Sequence, residues 1–192
     1  SIMPDGTAIA AGGYAGAGAF DTLARYDPVA NSWASLGALP TPRRGHNAVV
    51  LPSGRLMLAG GHNPPTYLAN VEIYDSGAPN VNTAPLQPQE HKSHVATLLH
   101  NGKVLVAGGF AELVVISQAD SELYDPAADT WIVIQPMLSA RYWHTSTLLP
   151  DGRPLIVGGR SGAEGVGVGP DYAERFDPLQ NTWSQAGTIQ NR

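Results

Sequence analysis

The sequence contains no cysteine, which excludes disulfide bonds, thiolate metal ligands and cysteine nucleophiles. Charged residues make up only 14% of the 192 residues, against roughly 25% in an average globular domain. The formal net charge is −5 and only two of the basic residues are lysine, so we expect no general binding of nucleic acid. The apolar runs are too short to cross a bilayer, so we expect no membrane insertion.

What the sequence has in quantity is glycine and proline, with 22 and 16 residues. Hydrophobic residues make up 43%, enough for a folded core. No segment shows a sustained 3.6-residue apolar period, and short apolar runs alternate with Gly, Pro, Asn and Asp. This pattern predicts an all-β domain with many turns. The low lysine content and the abundance of Ala, Gly and Pro are also typical of GC-rich bacterial genomes.

Four internal repeats run along the chain. Their Gly-Gly pairs stand 48, 48 and 50 residues apart, at Gly12-Gly13, Gly60-Gly61, Gly108-Gly109 and Gly158-Gly159. An aromatic-Asp pair follows each, at Tyr26-Asp27, Tyr74-Asp75, Tyr124-Asp125 and Phe176-Asp177. Seven residues after the aromatic residue come Trp33, Val81, Trp131 and Trp183. We place the units at approximately 1–42, 43–90, 91–140 and 141–192, within a single domain.

Each unit predicts four short antiparallel strands. The first is an apolar run, and an Asx-Gly or similar tight turn follows it. The second ends in the Gly-Gly pair, the third ends in the aromatic-Asp pair, and the fourth begins at the tryptophan. Four-stranded units of about 50 residues in tandem are typical of β-propeller blades.

These motifs resemble those of the kelch-repeat family over essentially the whole chain. The resemblance rests on the Gly-Gly, aromatic-Asp and Trp positions and on Arg-x-x-His, which stands at Arg43–His46 and Arg141–His144. It implies a kelch-type β-propeller with about four blades in this chain. It also favours a structural role for the repeated residues, which would pack and hydrogen-bond between blades.

The sequence is consistent with several arrangements of the four blades, because the number of first strands differs from that of the other strands. The chain begins inside a first strand, because residues 1–6 align with residues 49–54, and it ends just before the next first strand would begin. We therefore expect three complete first strands and four copies of each other strand. The alternatives are a fragment of a larger propeller, a four-blade ring, or half of a paired eight-blade assembly. An open stack would expose strand edges and apolar faces, which favours self-association.

The resemblance places the loops after Gly-Gly and the links between blades on one face. This face is rich in cations, with Arg43, His91, Arg141 and Arg192 at one equivalent position. Arginine can hold a carboxylate or phosphate through paired hydrogen bonds, and nearby aromatic rings could add stacking. We predict ligand-binding residues there, for an acidic peptide or protein or an anionic glycan: Arg43, Arg44, His62, Arg141, Tyr142, Trp143 and Arg160. The alternative is that the repeated Arg and His residues only hold strand ends and neighbouring blades together.

We expect a binding scaffold rather than an enzyme, with no catalytic residues and no cofactor. Copper oxidases that resemble galactose oxidase need a cysteine-linked tyrosine, and this chain has no cysteine. A lectin-like module, or an epimerase or mutarotase of the propeller type, is the alternative, with its acid or base among the loop carboxylates Glu90, Glu112, Asp120 and Glu164. We predict no metal site, because equivalent histidines of successive blades lie around a ring rather than in one cluster. A truncated or engineered propeller fragment without independent function is the third alternative.

Overall fold

A computed structural model describes residues 1–16, 18–75, 78–85, 87–88, 90–111, 116–163, 165 and 167–189, with the backbone alone for 78–82. The described residues form β-strands joined by turns and contain no helix, so no helix long and apolar enough to cross a bilayer occurs among them. Four antiparallel sheets follow one another along the chain, and we call them blades 1 to 4. The prediction of an all-β chain with about four blades is confirmed.

Blade 1 has three strands in its sheet, and two further small strands form a hairpin in the loop after Gly12-Gly13. Its strands are β1 (Ala8–Ala11), β2 (Tyr14–Ala15), β3 (Gly18–Ala19), β4 (Thr22–Asp27) and β5 (Ser32–Ala38). The sheet order is β1-β4-β5, and β2 pairs with β3. Blade 1 therefore lacks a full first strand, as the alignment of residues 1–6 predicted.

Blades 2, 3 and 4 each have four strands. Blade 2 contains β6 (Asn47–Val50), β7 (Leu56–Ala59), β10 (Val71–Asp75) and β11 (Ala78–Ala84), with a loop hairpin of β8 (His62–Asn63) and β9 (Thr66–Tyr67). Blade 3 contains β12 (Val95–Leu98), β13 (Val104–Phe110), β14 (Ser117–Asp125) and β15 (Thr130–Ile134). Blade 4 contains β16 (Tyr142–Leu148), β17 (Pro154–Arg160), β18 (Tyr172–Asp177) and β19 (Thr182–Thr188). Strands pair in chain order within each blade.

The Gly-Gly pair interrupts the pairing of a strand rather than ending it in blades 3 and 4. Strand β13 continues through Gly108-Gly109 to Phe110, and β17 continues to Arg160. The register between β13 and β14 shifts between Ala107 and Gly109, which is the geometry of a β-bulge. The sequence pattern placed the end of the second strand at Gly-Gly because glycine usually marks a turn, whereas here it marks a bulge.

The core consists of three apolar layers, each lying between two neighbouring blades. Leu56 and Leu58 of blade 2 face Ile9 and Leu23 of blade 1. The alternate residues of the same strand face blade 3, because side chains along a strand point to opposite faces. The blade 2–3 layer contains Met57, Val71, Ile73, Val104 and Tyr124, and the blade 3–4 layer contains Leu105, Leu123, Ile156, Phe176 and Trp183.

The first strands lie side by side, with β12 packed between β6 and β16. Among the described strands, no sheet joins blade 1 to blade 4. The fragment, the ring and the paired assembly therefore stay predictions.

Candidate functional site

The links between blades carry three successive positions with different roles. The first position holds Arg43, His91 and Arg141, the second holds Arg44, Lys92 and Tyr142, and the third holds Gly45, Ser93 and Trp143. The conserved spacing of the repeats places each set at equivalent points of blades 2, 3 and 4. We call these the inner, middle and outer link positions.

The inner link position is buried and ion-paired. Nη2 of Arg43 lies 2.6 Å from Oε1 of Glu72, and both side chains are fully buried. Nη2 of Arg141 lies 2.6 Å from Oε1 of Glu174 in the same way. In blade 3 the pair is His91 and Glu122, with 3.6 Å between Nε2 and Oε1. The carboxylates are the glutamates that recur two residues before the aromatic-Asp pair.

Each inner side chain also ties its link to the next Gly-Gly pair. Arg43 donates from Nη1 to the carbonyl of Gly60 at 2.7 Å, and Arg141 donates from Nη1 to the carbonyl of Gly158 at 3.1 Å. Nδ1 of His91 lies 2.7 Å from the carbonyl oxygen of Gly108. Arg43 and Arg141 are therefore scaffold residues that a ligand on the surface cannot reach. Their burial favours the structural alternative over the prediction that they contact a ligand.

The histidines of the Arg-x-x-His motif pack against the Gly-Gly pair of the preceding blade. His144 places its Nε2 atom 3.2 Å from the carbonyl oxygen of Ala107, and its Cε1 atom lies against Gly108. Burial, with Arg141 nearby, lowers the pKa of His144 to about 4. Burial, with Arg43 nearby, lowers the pKa of His46 to about 4 as well. Both imidazoles are therefore neutral at pH 7.

Stability should fall with acidity because these histidines bind a proton more tightly in the unfolded chain. The contribution of the two neutral histidines to the free energy of unfolding is complete above the ordinary histidine pKa of about 6.5. It is lost as the pH falls towards 4, by about 1.4 kcal/mol per pH unit for each histidine. Urea denaturation at about pH 7.5 and pH 5 measures this loss. His144→Gln should reduce the loss, whereas His100→Gln, at an exposed turn residue, should leave it unchanged. Equal midpoints at both pH values would contradict the expectation.

The middle link position pairs its backbone with the residue that follows Gly-Gly. Arg44 and His62 exchange backbone hydrogen bonds of 3.0 and 2.8 Å, and Lys92 and Phe110 do the same at 3.2 and 2.9 Å. The guanidinium of Arg44 lies 5.3 Å from the ring centroid of Tyr14. Nζ of Lys92 lies 4.8 Å from the ring centroid of Tyr67. These two cations are therefore held over aromatic rings at the loop face.

Tyr142 occupies the middle position in blade 4 and is only 1% exposed. Its hydroxyl donates to the carbonyl of Ala163 at 3.1 Å and accepts from the backbone N–H of Gly165 at 2.8 Å. Tyr142 therefore holds the loop after β17 through its hydroxyl, and its role as a ligand contact stays a prediction.

A pocket of about 300 Å³ opens where the links of the blades converge. Its lining residues come from all four blades: Tyr14, Arg44, Gly45, His62, Lys92, Ser93 and Trp143. They include two cationic side chains and no carboxylate. We call this the cationic pocket. Three of the predicted residues, Arg44, His62 and Trp143, lie in it.

Arg160 extends the cationic surface beside the pocket. Its guanidinium lies 5.9 Å from the ring centroid of Trp143, and its Nη1 donates to the carbonyl of Gly165 at 2.7 Å. Arg160 is exposed, and Trp143 is 56% exposed. Both side chains are thus accessible, as the prediction requires.

The sequence interpretation did not select Tyr14, Gly45, Lys92 and Ser93 as site residues. Aligning the links column by column would have indicated Lys92, Gly45 and Ser93, since they are counterparts of Arg44 and Trp143. Tyr14 carries no such signal, because among the described residues its loop hairpin has a counterpart only in blade 2, where β8 pairs with β9. Arg192, Glu112 and Glu164 lie outside the described residues, and Asp120 lies within strand β14 rather than in a loop. Among the described residues, no group of three or more His, Asp or Glu side chains is arranged to hold a metal ion.

Comparison with known families agrees with this architecture. Residues 91–138, which include blade 3 and its preceding link, match the family model of the Kelch motif. This segment is a kelch repeat. The Gly-Gly and aromatic-Asp motifs recur in the other three blades, which are antiparallel sheets as well. No protein with a curated description matches the chain. Kelch repeats generally form scaffolds for protein–protein interaction and are usually non-catalytic.

Proposed function

We propose that this protein binds an acidic segment of a partner protein at the cationic pocket. The observation that carries the proposal is the composition of the pocket lining. Arg44 and Lys92 lie in it beside the aromatic rings of Tyr14 and Trp143, and none of the described residues that line it is Asp or Glu. The net charge of the chain is −5, so the positive potential at this pocket is opposite in sign to the overall charge.

The shape and position of the pocket support a peptide ligand. Links on a rigid β scaffold are positioned by the blades beneath them, so their side chains are preorganised for binding. Arg44 can give a carboxylate two parallel hydrogen bonds, and Tyr14 and Trp143 offer exposed aromatic surface on either side. An anionic glycan would meet the same cations, and the experiment below distinguishes the two ligands.

Removing both pocket cations should weaken binding of an acidic peptide. We expect Arg44→Gln/Lys92→Gln to lower the affinity about 10- to 100-fold, since a hydrogen bond to a charged group contributes about 1.5–3 kcal/mol. The probe is a fluorescein-labelled peptide of Asp, Glu and Gly residues. Its affinity is measured by fluorescence anisotropy against a matched Asn, Gln and Gly peptide.

The control is Arg55→Gln/Arg153→Gln, which removes the same charge at the tight turns between first and second strands. This variant should bind the acidic peptide like the parent chain. Equal affinity for the acidic and the amide peptide, or equal weakening by both double variants, would contradict the proposal. Preference for heparin over the acidic peptide would favour the glycan.

Self-association of the chain also stays a prediction, and one contact pattern supports it. Trp131 and Trp183 donate their indole N–H to backbone carbonyls of the preceding blade, at Pro85 and Gln135, both at 3.1 Å. Trp33 stands at the equivalent position of blade 1 and is 61% exposed. A neighbouring blade would bury this surface.

A further inference from the structure

Trp143 has a backbone conformation that disfavours its side chain. Its φ is +55°, a left-handed value that L-residues with bulky side chains rarely adopt. Among the described non-glycine residues with positive φ, Asn31, Asp129 and Asn181 are of the types that tolerate it best. Trp143 is the bulky exception.

The conformation itself has a structural cause in the links. The backbone N–H of Ser93 donates to the carbonyl of Gly45 at 2.9 Å, and the N–H of Trp143 donates to the carbonyl of Ser93 at 3.0 Å. All three outer link residues have positive φ, so this ladder between blades imposes the conformation. Glycine suits the position best, and blade 2 has it. The fold therefore explains the positive φ of residue 143, but it does not explain why the side chain at this position is a tryptophan.

A second cavity adjoins Trp143 and lies along the first strands of blades 3 and 4. It measures about 420 Å³ and shares Ser93 and Trp143 with the cationic pocket. The rest of its lining has no Lys, Arg, Asp or Glu: Asn47, His94, Val95, Ala96, His144, Thr145 and Ser146. We call it the neutral cavity.

The polar groups of the neutral cavity suit an uncharged ligand group. His94 and His144 are buried, and burial lowers the pKa of both, so they carry no charge at pH 7. Nδ1 of His144 has no hydrogen-bond partner within the described chain, and neither nitrogen of His94 makes a hydrogen bond of ordinary geometry there. A charged group placed against these imidazoles would lose its hydration without an opposite charge to replace it.

We propose that Trp143 and the neutral cavity form a second subsite, which takes a flat uncharged side chain next to the acidic residue of the bound peptide. The inference rests on the proposed function of the cationic pocket. One face of the indole stacks on the aromatic or prolyl ring of the ligand, while Arg44 and Lys92 hold the carboxylate. The indole is oriented for this by Tyr142, whose ring meets it at 62° with 5.0 Å between centroids. The partner is thus an acidic segment with an aromatic residue or a proline beside the acid.

A peptide array tests this sequence preference. The peptides contain one glutamate in a Gly/Ser background, with every natural residue type placed in turn before and after it. We expect Phe, Tyr, Trp or Pro on one flank to strengthen binding about three- to tenfold over Gly. Trp143→Gly should remove this gain and keep the dependence on glutamate. It should also leave the Tm unchanged or raise it, because glycine relieves the strained φ.

The matched control is Trp33→Ala, which removes a similarly exposed tryptophan outside both cavities and should leave the preference intact. If all flanking residues gave the same affinity while Arg44→Gln/Lys92→Gln still abolished binding, the second subsite would be refuted. The proposed function of the cationic pocket would then still stand. Absence of any binding to glutamate peptides would overturn both. A large fall in Tm for Trp143→Gly would show a structural role for the indole instead. If cellotetraose bound in a way that depends on Trp143 and the peptides showed no flanking preference, the ligand of the second subsite would be a saccharide and not a peptide.

Discussion

Arg43→Met should lower the free energy of unfolding by about 3–5 kcal/mol, which is the usual effect of removing one partner of a buried ion pair. The variant leaves the Glu72 carboxylate fully buried without its cation. It also removes the hydrogen bond to the carbonyl of Gly60. Urea denaturation followed by tryptophan fluorescence measures the change. A domain of this size is stabilised by only about 5–15 kcal/mol, so the loss is a large fraction.

Two further variants show how much of the stability loss is due to the burial of the ion pair and how much to the removal of a charge. Arg43→Met/Glu72→Leu should recover part of the loss, because no unpaired charge then stays in the interior. Arg153→Met breaks an ion pair of similar length, 2.9 Å to Asp151, in which both side chains are more than a third exposed. It should change the stability by less than about 1 kcal/mol. Similar losses for Arg43→Met and Arg153→Met would refute the scaffold role of the inner link position.

Gly60→Ala should destabilise the chain by about 2–5 kcal/mol, for two reasons that add. The φ of Gly60 is +60°, which disfavours any side chain. A Cβ atom would also lie 2.5 Å from the backbone oxygen of His91 and 3.2 Å from Cε1 of His94. These atoms belong to the link of the next blade, so the blades would have to separate to make room.

Gly158 is the matched control, because it occupies the same place in blade 4. Its φ is +71°, but a Cβ there meets no described atom within 4 Å. Gly158→Ala should therefore show only the conformational cost, about 1–2 kcal/mol. The difference between the two alanine variants isolates the contact between blades. Thermal and urea denaturation measure both variants. If Gly60→Ala and Gly158→Ala lowered the stability equally, the positive φ alone would account for the requirement for glycine.

The repeat pattern was sufficient to predict the blades, because its spacing marks where the strands begin and end. The aromatic-Asp pair ends the third strand in all four blades, and a tryptophan lies near the start of the fourth strand in blades 1, 3 and 4. Gly-Gly follows the second strand in blades 1 and 2 and lies within it in blades 3 and 4. The predicted site was less accurate, since the sequence shows that Arg43 and Arg44 are adjacent but not that they point in opposite directions. Arg43 points to Glu72 within the blade, and Arg44 points to Tyr14 at the surface.

The sequence by itself determined the all-β class, the four units, the missing first strand and the exclusion of cysteine chemistry. These depend on spacing and composition, which act locally along the chain. Only the tertiary structure decided which cations are neutralised, because Arg43 meets Glu72 across 29 positions of the chain and Arg141 meets Glu174 across 33. It also revealed that four blades bring Tyr14, Arg44, Lys92 and Trp143 to one pocket. Such convergence arises from the packing of neighbouring blades side by side, which no single repeat encodes.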